Sequence, residues 1–326
     1  MGTDLNIPID GLAGFENGLD PQNLAKSKIP VSIMGYGEIS TVLDIALDES
    51  RTLAYKRMPL FHSGDEVKQY RELYEAYVKL LQEQIGIRVV ASKLVTVTNV
   101  NSGQDVVYIV QEKLPPESIG HKAIHHIPEA EVRRLILAVL ENLKKAFDFN
   151  KQDGNSIAVG IDGQISNWGV VGFDPESNQL PDEIELLYID TSTPLMNIDH
   201  EEQLDTELFL RSAPSFLTWL LRLFFLEDVV TRYYSFRSVC IDLIANMYKE
   251  QRPDLVPGLI PLLNEFFTSE INSGEFEPFS EKEIKAYYQE DAFIWRIYLA
   301  FRRVDRVLHR WTGRDYPYIL PGKIKR

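Results

Sequence analysis

The tripeptide Leu114-Pro115-Pro116 divides the chain into two kinds of sequence. Consecutive prolines cannot continue a strand ladder, and each pushes the residue before it into an extended conformation. Upstream lie short runs rich in β-branched and aromatic residues, "VSIMGYG", "STVLDIAL", "TLAYKRM", "SKLVTVTNV" and "DVVYIVQEKL", separated by Gly-rich or polar turns. This pattern predicts strands. One helix is predicted among them, over about 65–85, with Val67, Tyr70, Tyr74, Tyr77, Val78, Leu81 and Ile85 as its apolar stripe. Downstream the sequence is largely helical. In "EVRRLILAVLENLKKAF", Val132, Leu135, Ile136, Val139, Leu140, Leu143 and Phe147 recur at three- and four-residue steps. Helical text resumes from about 204 to 311, with breaks near 214, 253–261 and 278. The expectation is an α+β protein with a strand-rich part over 31–114 and a helical part over 115–326. Residues 1–30, rich in Gly, Asn, Pro and Asp, read as a loosely packed extension.

Charge narrows the partners. Lys and Arg total 34 against 48 Asp and Glu, a net charge of −14, which argues against coating nucleic acid or an anionic membrane. The basic stretch 301–326 reads as a solvated terminal helix and tail. A lone cysteine, Cys240, allows no internal disulfide and suits a reducing cytoplasm. The start "MGTDLNIPID" has no basic and apolar leader, and Asn6 stands where a myristoylation signal carries Ser or Thr. "FLTWLLRLFFL" at 216–226 is too short to span a bilayer and reads as a core helix.

Chemistry-bearing residues occur in a fixed order. The hairpin "IMGYGEISTV" holds Gly35, Tyr36, Gly37, Ser40 and Val42; its glycines let backbone N–H groups approach an anion closely. Lys56 follows in "TLAYKRM", on the strand face of Ala54 and Met58, with Tyr55 and Arg57 facing the other way. A lysine facing an interior needs an anionic partner. On the next helix Glu72 lies opposite the apolar stripe and Glu75 at its margin, so Glu75 is the expected partner of Lys56. "GIDGQISNWGVVGF" then places Asp162 five positions before Asn167, and "IELLYID" ends a strand on Asp190.

This order resembles the protein-kinase-like superfamily. Gly35, Gly37 and Val42 match its glycine loop, Ala54 and Lys56 its A-x-K strand, Glu75 its helix glutamate, Asp162 and Asn167 its catalytic loop, and Asp190 its metal-binding Asp. The resemblance implies a two-lobed fold, a small antiparallel sheet with one main helix over 31–114 and a larger helical lobe over 115–326. It also implies ATP as nucleotide, with the adenine against Glu112 to Leu114. Asn167 and Asp190 would hold Mg²⁺, and Asp162 would serve as base toward a hydroxyl. Departures are Ser40 for the third glycine, Gly160 and Ile161 for the His-Arg before the catalytic Asp, Gln164 for the lysine two residues after it, and "DTS" for Asp-Phe-Gly; "SAPS" at 212–215 weakly echoes Ala-Pro-Glu. They are closer to the aminoglycoside and choline phosphotransferases, which points to a small-molecule acceptor. Two alternatives stay open, a kinase fold that binds without efficient transfer and an atypical protein kinase using Thr191, Ser192 and Thr193. His121, His125 and His126 read as a surface or helix-cap cluster just past the hinge, able to line its mouth, and not as a zinc site. "YYSFRSV" and "FIWRIYLAFRRVDRVLHRW" read as core packing with an arginine rim.

Overall fold

The computed structural model describes residues 5–37, 39–211, 231–270, 277–313 and 316–322. The fold is α+β. Its first part is a five-stranded antiparallel sheet in the order β1-β2-β3-β5-β4, formed by β1 Val31–Tyr36, β2 Thr41–Ile45, β3 Leu53–Met58, β4 Ser92–Thr98 and β5 Asp105–Glu112. The predicted strands are all present. β3 sits at the centre, with Lys56 opposite Val42 on one side and Ile109 on the other.

Every residue of β3 is buried, because both faces of the sheet are covered. One cover is α1, Ile9–Gly18, whose Leu12 and Phe15 pack with Leu43, Ile45, Tyr55, Tyr108 and Val110. The expected loose extension is therefore corrected: Leu12 and Phe15 are wholly buried, and one face of a short amphipathic helix closes the sheet. The same layer takes in Ile319 from the other end of the chain, so residues 316–322 are not a solvated tail. Tyr316 and Ile319 are buried apolar groups, which holds them against the body despite the basic residues around them.

The opposite face carries α2, Gly64–Lys79, capped by the Ser63 hydroxyl and continued by a π-helical turn to Ile85. Its predicted stripe is buried at Val67, Tyr70, Tyr74, Tyr77, Leu81 and Ile85, with Val78 packed at the edge. Beyond Leu114 a short helix, Gly120–Ala123, leads to the long helix Glu129–Asn150, all seven of whose predicted stripe residues are buried. Two small antiparallel pairings follow, Trp168–Val170 with Leu186–Tyr188 and Ile157–Val159 with Met196–Ile198. Helices Phe236–Lys249, Val256–Glu270 and Glu281–Thr312 complete the described part. The expected break over 253–261 is shorter than predicted: a 3-10 turn at Pro253–Leu255 precedes a helix that runs through Pro261. The predicted helix at 216–226 and the "SAPS" segment lie outside the described residues. Among the described residues no helix is long and apolar enough to cross a membrane.

Candidate active site

The glycine hairpin, β3 and the loop 160–167 converge on one cleft. β1 and β2 are joined by an irregular register between Ile33 and Gly35, and Gly37 N–H donates to the Ser40 carbonyl (2.9 Å), which folds the tip tightly. A Cβ on Gly37 would stand 2.9 Å from the Ser40 hydroxyl oxygen, so a side chain there would have to displace that hydroxyl. Lys56 projects from β3 into the cleft and is 5% exposed. Its ammonium donates to the Ile189 carbonyl (2.7 Å) and to Asp190 Oδ1 (3.0 Å).

Asp190 is thus the carboxylate partner that a buried lysine requires, and the expected pairing with Glu75 is corrected. Glu75 is exposed on α2, one helical step too far from the face that looks into the molecule. What that face presents instead is a ladder of tyrosines. Tyr70 donates to the Ser192 carbonyl (2.7 Å), Tyr77 to the Gly160 carbonyl (2.9 Å), and the Tyr74 and Ser92 hydroxyls are hydrogen-bonded to each other (2.7 Å). Sequence reading took these three as apolar packing. Their spacing did place them on the inner face, but a hydroxyl's partner is not encoded in periodicity.

Loop 160–167 is locked by close packing. A Cβ at Gly163 would lie 2.6 Å from Val239 Cγ1, and one at Gly160 would lie 2.9 Å from Leu195 Cβ. Asp162 Oδ1 accepts the Gln164 N–H (3.0 Å), and Asn167 Nδ2 donates to the Asp162 carbonyl (3.4 Å). The Ile189 N–H donates to the Asn167 carbonyl (2.9 Å), which brings Asn167 and Asp190 into register across the paired strands. Asp190 receives Lys56 Nζ, the Ser192 hydroxyl (2.7 Å) and the Ser192 N–H (3.3 Å), all on Oδ1. Burial alone would raise its pKa, but Lys56 and Ser192 outweigh it and hold the carboxyl below the usual carboxylate range. Asp162 goes the other way: burial first, then the nearby charges of Asp242 and Asp190, push it up to about 7.

Two cavities meet here. The outer one, about 310 Å³, is lined by Gly35, Val42, Ala54, Lys56, the strand exit Gln111–Leu114 and His121. The inner one, about 140 Å³, is lined by Asp162, Gln164, Arg232, Tyr233, Asp291 and Trp295. They share the hairpin tip, Ser166, Asn167, Asp190 and Lys249. Every residue expected in the cleft except Glu75 therefore lines it. Arg232, Asp291, Trp295 and Lys249 were missed, because they arrive from helical segments well past Asp190 that carry no motif; only an arginine and aromatics at helical spacing hinted at them.

The remaining expectations resolve simply. His126 pairs with Glu117 (2.7 Å), and His125 meets the Glu250 carbonyl (3.0 Å). His121 lines the outer cavity, where burial and the cations Lys122 and Lys249 push its pKa down to about 4. Among the described residues no cluster of three or more His, Cys, Asp or Glu could hold a metal. The expected aromatic core with an arginine rim is corrected at three positions: Arg302 is buried against the rings of Tyr298 and Tyr318, whereas Phe293 and Trp311 are exposed.

The profile of one family matches residues 21–308, spanning both the sheet and the helical part. The chain belongs to the family of unknown function DUF6206. No curated protein matches the sequence. Similar solved structures include the GDP and kanamycin complex of APH(2")-IIIa, 13% identical, with 74% of this chain and 93% of that one covered at a TM-score of 0.32. Another is WaaP in complex with acyl carrier protein, 12% identical, with 80% of this chain and 87% of that one covered at a TM-score of 0.32.

Proposed function

We propose that the protein is an ATP- and Mg²⁺-dependent phosphotransferase with a two-lobed, protein-kinase-like fold, acting on a hydroxyl of a small molecule. The observation that carries this reading is the meeting of Lys56, Asp162, Asn167 and Asp190, from three separate segments, along one cleft beneath a glycine hairpin. In this reading residues 31–114 form the small lobe and 115–326 the large one, with residues 1–30 as an extension whose helix braces the small lobe. The outer cavity takes the nucleotide, its adenine against the backbone of Glu112 to Leu114 and its phosphates under Gly35, Tyr36, Gly37 and Ser40. Val42 and Ala54 supply the apolar walls, and Lys56 neutralises phosphate oxygens.

The donor set suits Mg²⁺. Asn167 and Asp190 are hard oxygen ligands held in register, and the three donors to Asp190 all use Oδ1, leaving Oδ2 outside that set. When bound, the ion would neutralise phosphate charge. The inner cavity takes the acceptor. Its hydroxyl oxygen bonds to the γ-phosphorus as the bond from that phosphorus to the β–γ bridging oxygen breaks, the electron pair leaves on ADP, and the hydroxyl proton passes to Asp162. A carboxylate whose pKa stands near 7 is suited to take up that proton. Thr191 and Ser192 are buried, and the Ser192 hydroxyl is committed to Asp190, so neither hydroxyl belongs to an exposed segment, which speaks against the atypical protein kinase.

The decisive experiment is calorimetry of Mg²⁺-dependent nucleotide binding to wild type, Lys56→Ala and Asp190→Ala. Loss of metal-dependent binding in both variants is expected; full retention in both overturns the reading. Slow ATP hydrolysis that disappears in Asp162→Asn separates a working transferase from a binding protein of the same fold.

A further inference from the structure

We infer that Lys249 is a second cationic phosphate ligand, placed at the junction of the two cavities to grip the phosphoryl group in transfer. This rests on the phosphotransferase reading above and adds to it a residue that no motif announces. Lys249 is the last residue of the helix Phe236–Lys249 and lines both cavities. Among the described residues that line both, it carries the only positive charge: Lys56 borders the outer cavity alone and Arg232 the inner one alone. A group passing from a nucleotide in one cavity to a hydroxyl in the other must cross that junction.

The side chain is held there by a built bracket. Gln164, two residues past Asp162, donates its amide N–H to Asp242 Oδ2 (3.1 Å), which fixes the orientation of its amide. The amide oxygen then accepts from Asn246 Nδ2 (3.3 Å) and from Lys249 Nζ (2.9 Å). Asp242, Asn246 and Lys249 all project from one helix, and the loop is pinned to that helix by the contact of Gly163 with Val239. The position of the ammonium is therefore tied to that of Asp162 through one residue of backbone and one amide. A lysine ammonium has three protons and no acceptor; Gln164 takes one, and the Glu250 carboxylate stands 3.9 Å away, beyond a good hydrogen bond. The lysine side chain is 29% exposed, so it is neither sealed in the core nor lying free on the surface. A preorganised cation aimed at oxygens that gain charge in the transition state contributes more than a mobile one, because no reorganisation is needed at the moment of reaction.

The test uses two probes with MgCl₂ present, ADP and the non-hydrolysable ATP analogue AMP-PNP, titrated calorimetrically into the full chain. Lys249→Met is expected to lose roughly ten- to a hundredfold in AMP-PNP affinity, the range for one charge-assisted hydrogen bond, with ADP affinity unchanged. Lys249→Arg should restore part of the loss, and Lys56→Met should weaken both nucleotides. Thermal unfolding of each variant checks the fold, and Gln164→Leu, which frees the ammonium from its bracket, should give an intermediate AMP-PNP loss. If wild type binds both nucleotides and Lys249→Met keeps the same ratio between them, Lys249 has no such role while the nucleotide site stands. If wild type binds neither nucleotide, the phosphotransferase reading falls and takes this assignment with it.

Discussion

Lys56 and Arg57 are neighbours on β3, both cations, 5% and 3% exposed, and the strand turns them to opposite faces. Arg57 is saturated. Its guanidinium donates to both oxygens of Glu16 (2.8 and 2.6 Å) and to the Pro317 carbonyl (2.7 Å), and Tyr108 donates its hydroxyl to the same carboxylate. The Glu16 side chain is 1% exposed, so this pair is buried, beside a cavity of about 520 Å³, and ties together α1, the sheet and the C-terminal segment. Lys56 has one carboxylate partner, and that partner, Asp190, is 30% exposed toward a cavity. Two buried cations on one strand, each beside a cavity, thus differ in their partners: Arg57 is gripped by a carboxylate that is itself buried, and the Lys56 pair opens onto the cleft through a partly exposed one. Burial of a cation does not by itself separate the two; the exposure of its anionic partner does.

Breaking the Arg57 side should have the largest effect. Arg57→Met leaves Glu16 buried without its counter-ion, and about 3–5 kcal/mol of unfolding free energy should be lost in denaturant titration. Nucleotide affinity of the folded fraction should not change. The same site gives an acid dependence. Burial raises the Glu16 pKa, but Arg57, Tyr108 and Asn99 together outweigh it and hold the carboxyl below its ordinary value. The folded state therefore binds its proton less tightly than the unfolded chain. The stability this supplies is complete above the ordinary carboxylate pKa and is lost as pH falls through the lowered folded value. Denaturant midpoints measured downward from neutral pH should fall in wild type and fall less in Glu16→Gln.

Breaking the open side should separate binding from stability. Lys56→Met is expected to weaken Mg²⁺-nucleotide binding by about 1.5–3 kcal/mol, roughly ten- to a hundredfold, while the midpoint of unfolding shifts far less than in Arg57→Met. Equal stability losses in the two variants would erase the distinction. Tyr77→Phe removes the hydroxyl that holds the Gly160 carbonyl in the loop 160–167. About 1 kcal/mol of stability should go with it, since the buried carbonyl loses its donor. Glu75→Gln should have the smallest effect, within about 0.5 kcal/mol in stability and with nucleotide binding intact, because its carboxylate is exposed and apart from Lys56.

Much of the fold was legible in one dimension. Strand and helix periods located β1 to β5, α2 and the Glu129–Asn150 helix, and the alternation on β3 correctly assigned Lys56 and Arg57 to opposite faces. Part of the cleft was also legible, as an ordered set of short motifs, but Arg232, Lys249, Asp291 and Trp295 belong to no motif. Glu75 was misassigned because helical angle places a residue at a margin but does not say which margin meets a partner. α1 escaped because ten residues with three glycines give a weak apolar stripe. The packed segment 316–322, "YPYILPG", escaped because it is short, is broken by two prolines and so shows neither helical nor strand period.

By itself, then, the sequence determined the classes of local structure, the faces of each element and the order in which glycines, a lysine and carboxyl or amide groups appear. These follow from steric and hydrophobic preferences that act over a few residues. Only the tertiary structure decided which groups meet: Asp190, 134 residues away, as the partner of Lys56; Glu16 and Pro317, from the two ends of the chain, around Arg57; and Lys249, 85 residues from Gln164, at the junction of two cavities. Such meetings depend on how whole elements pack, and a contact between distant residues is fixed by the summed burial of both layers, which no local pattern records.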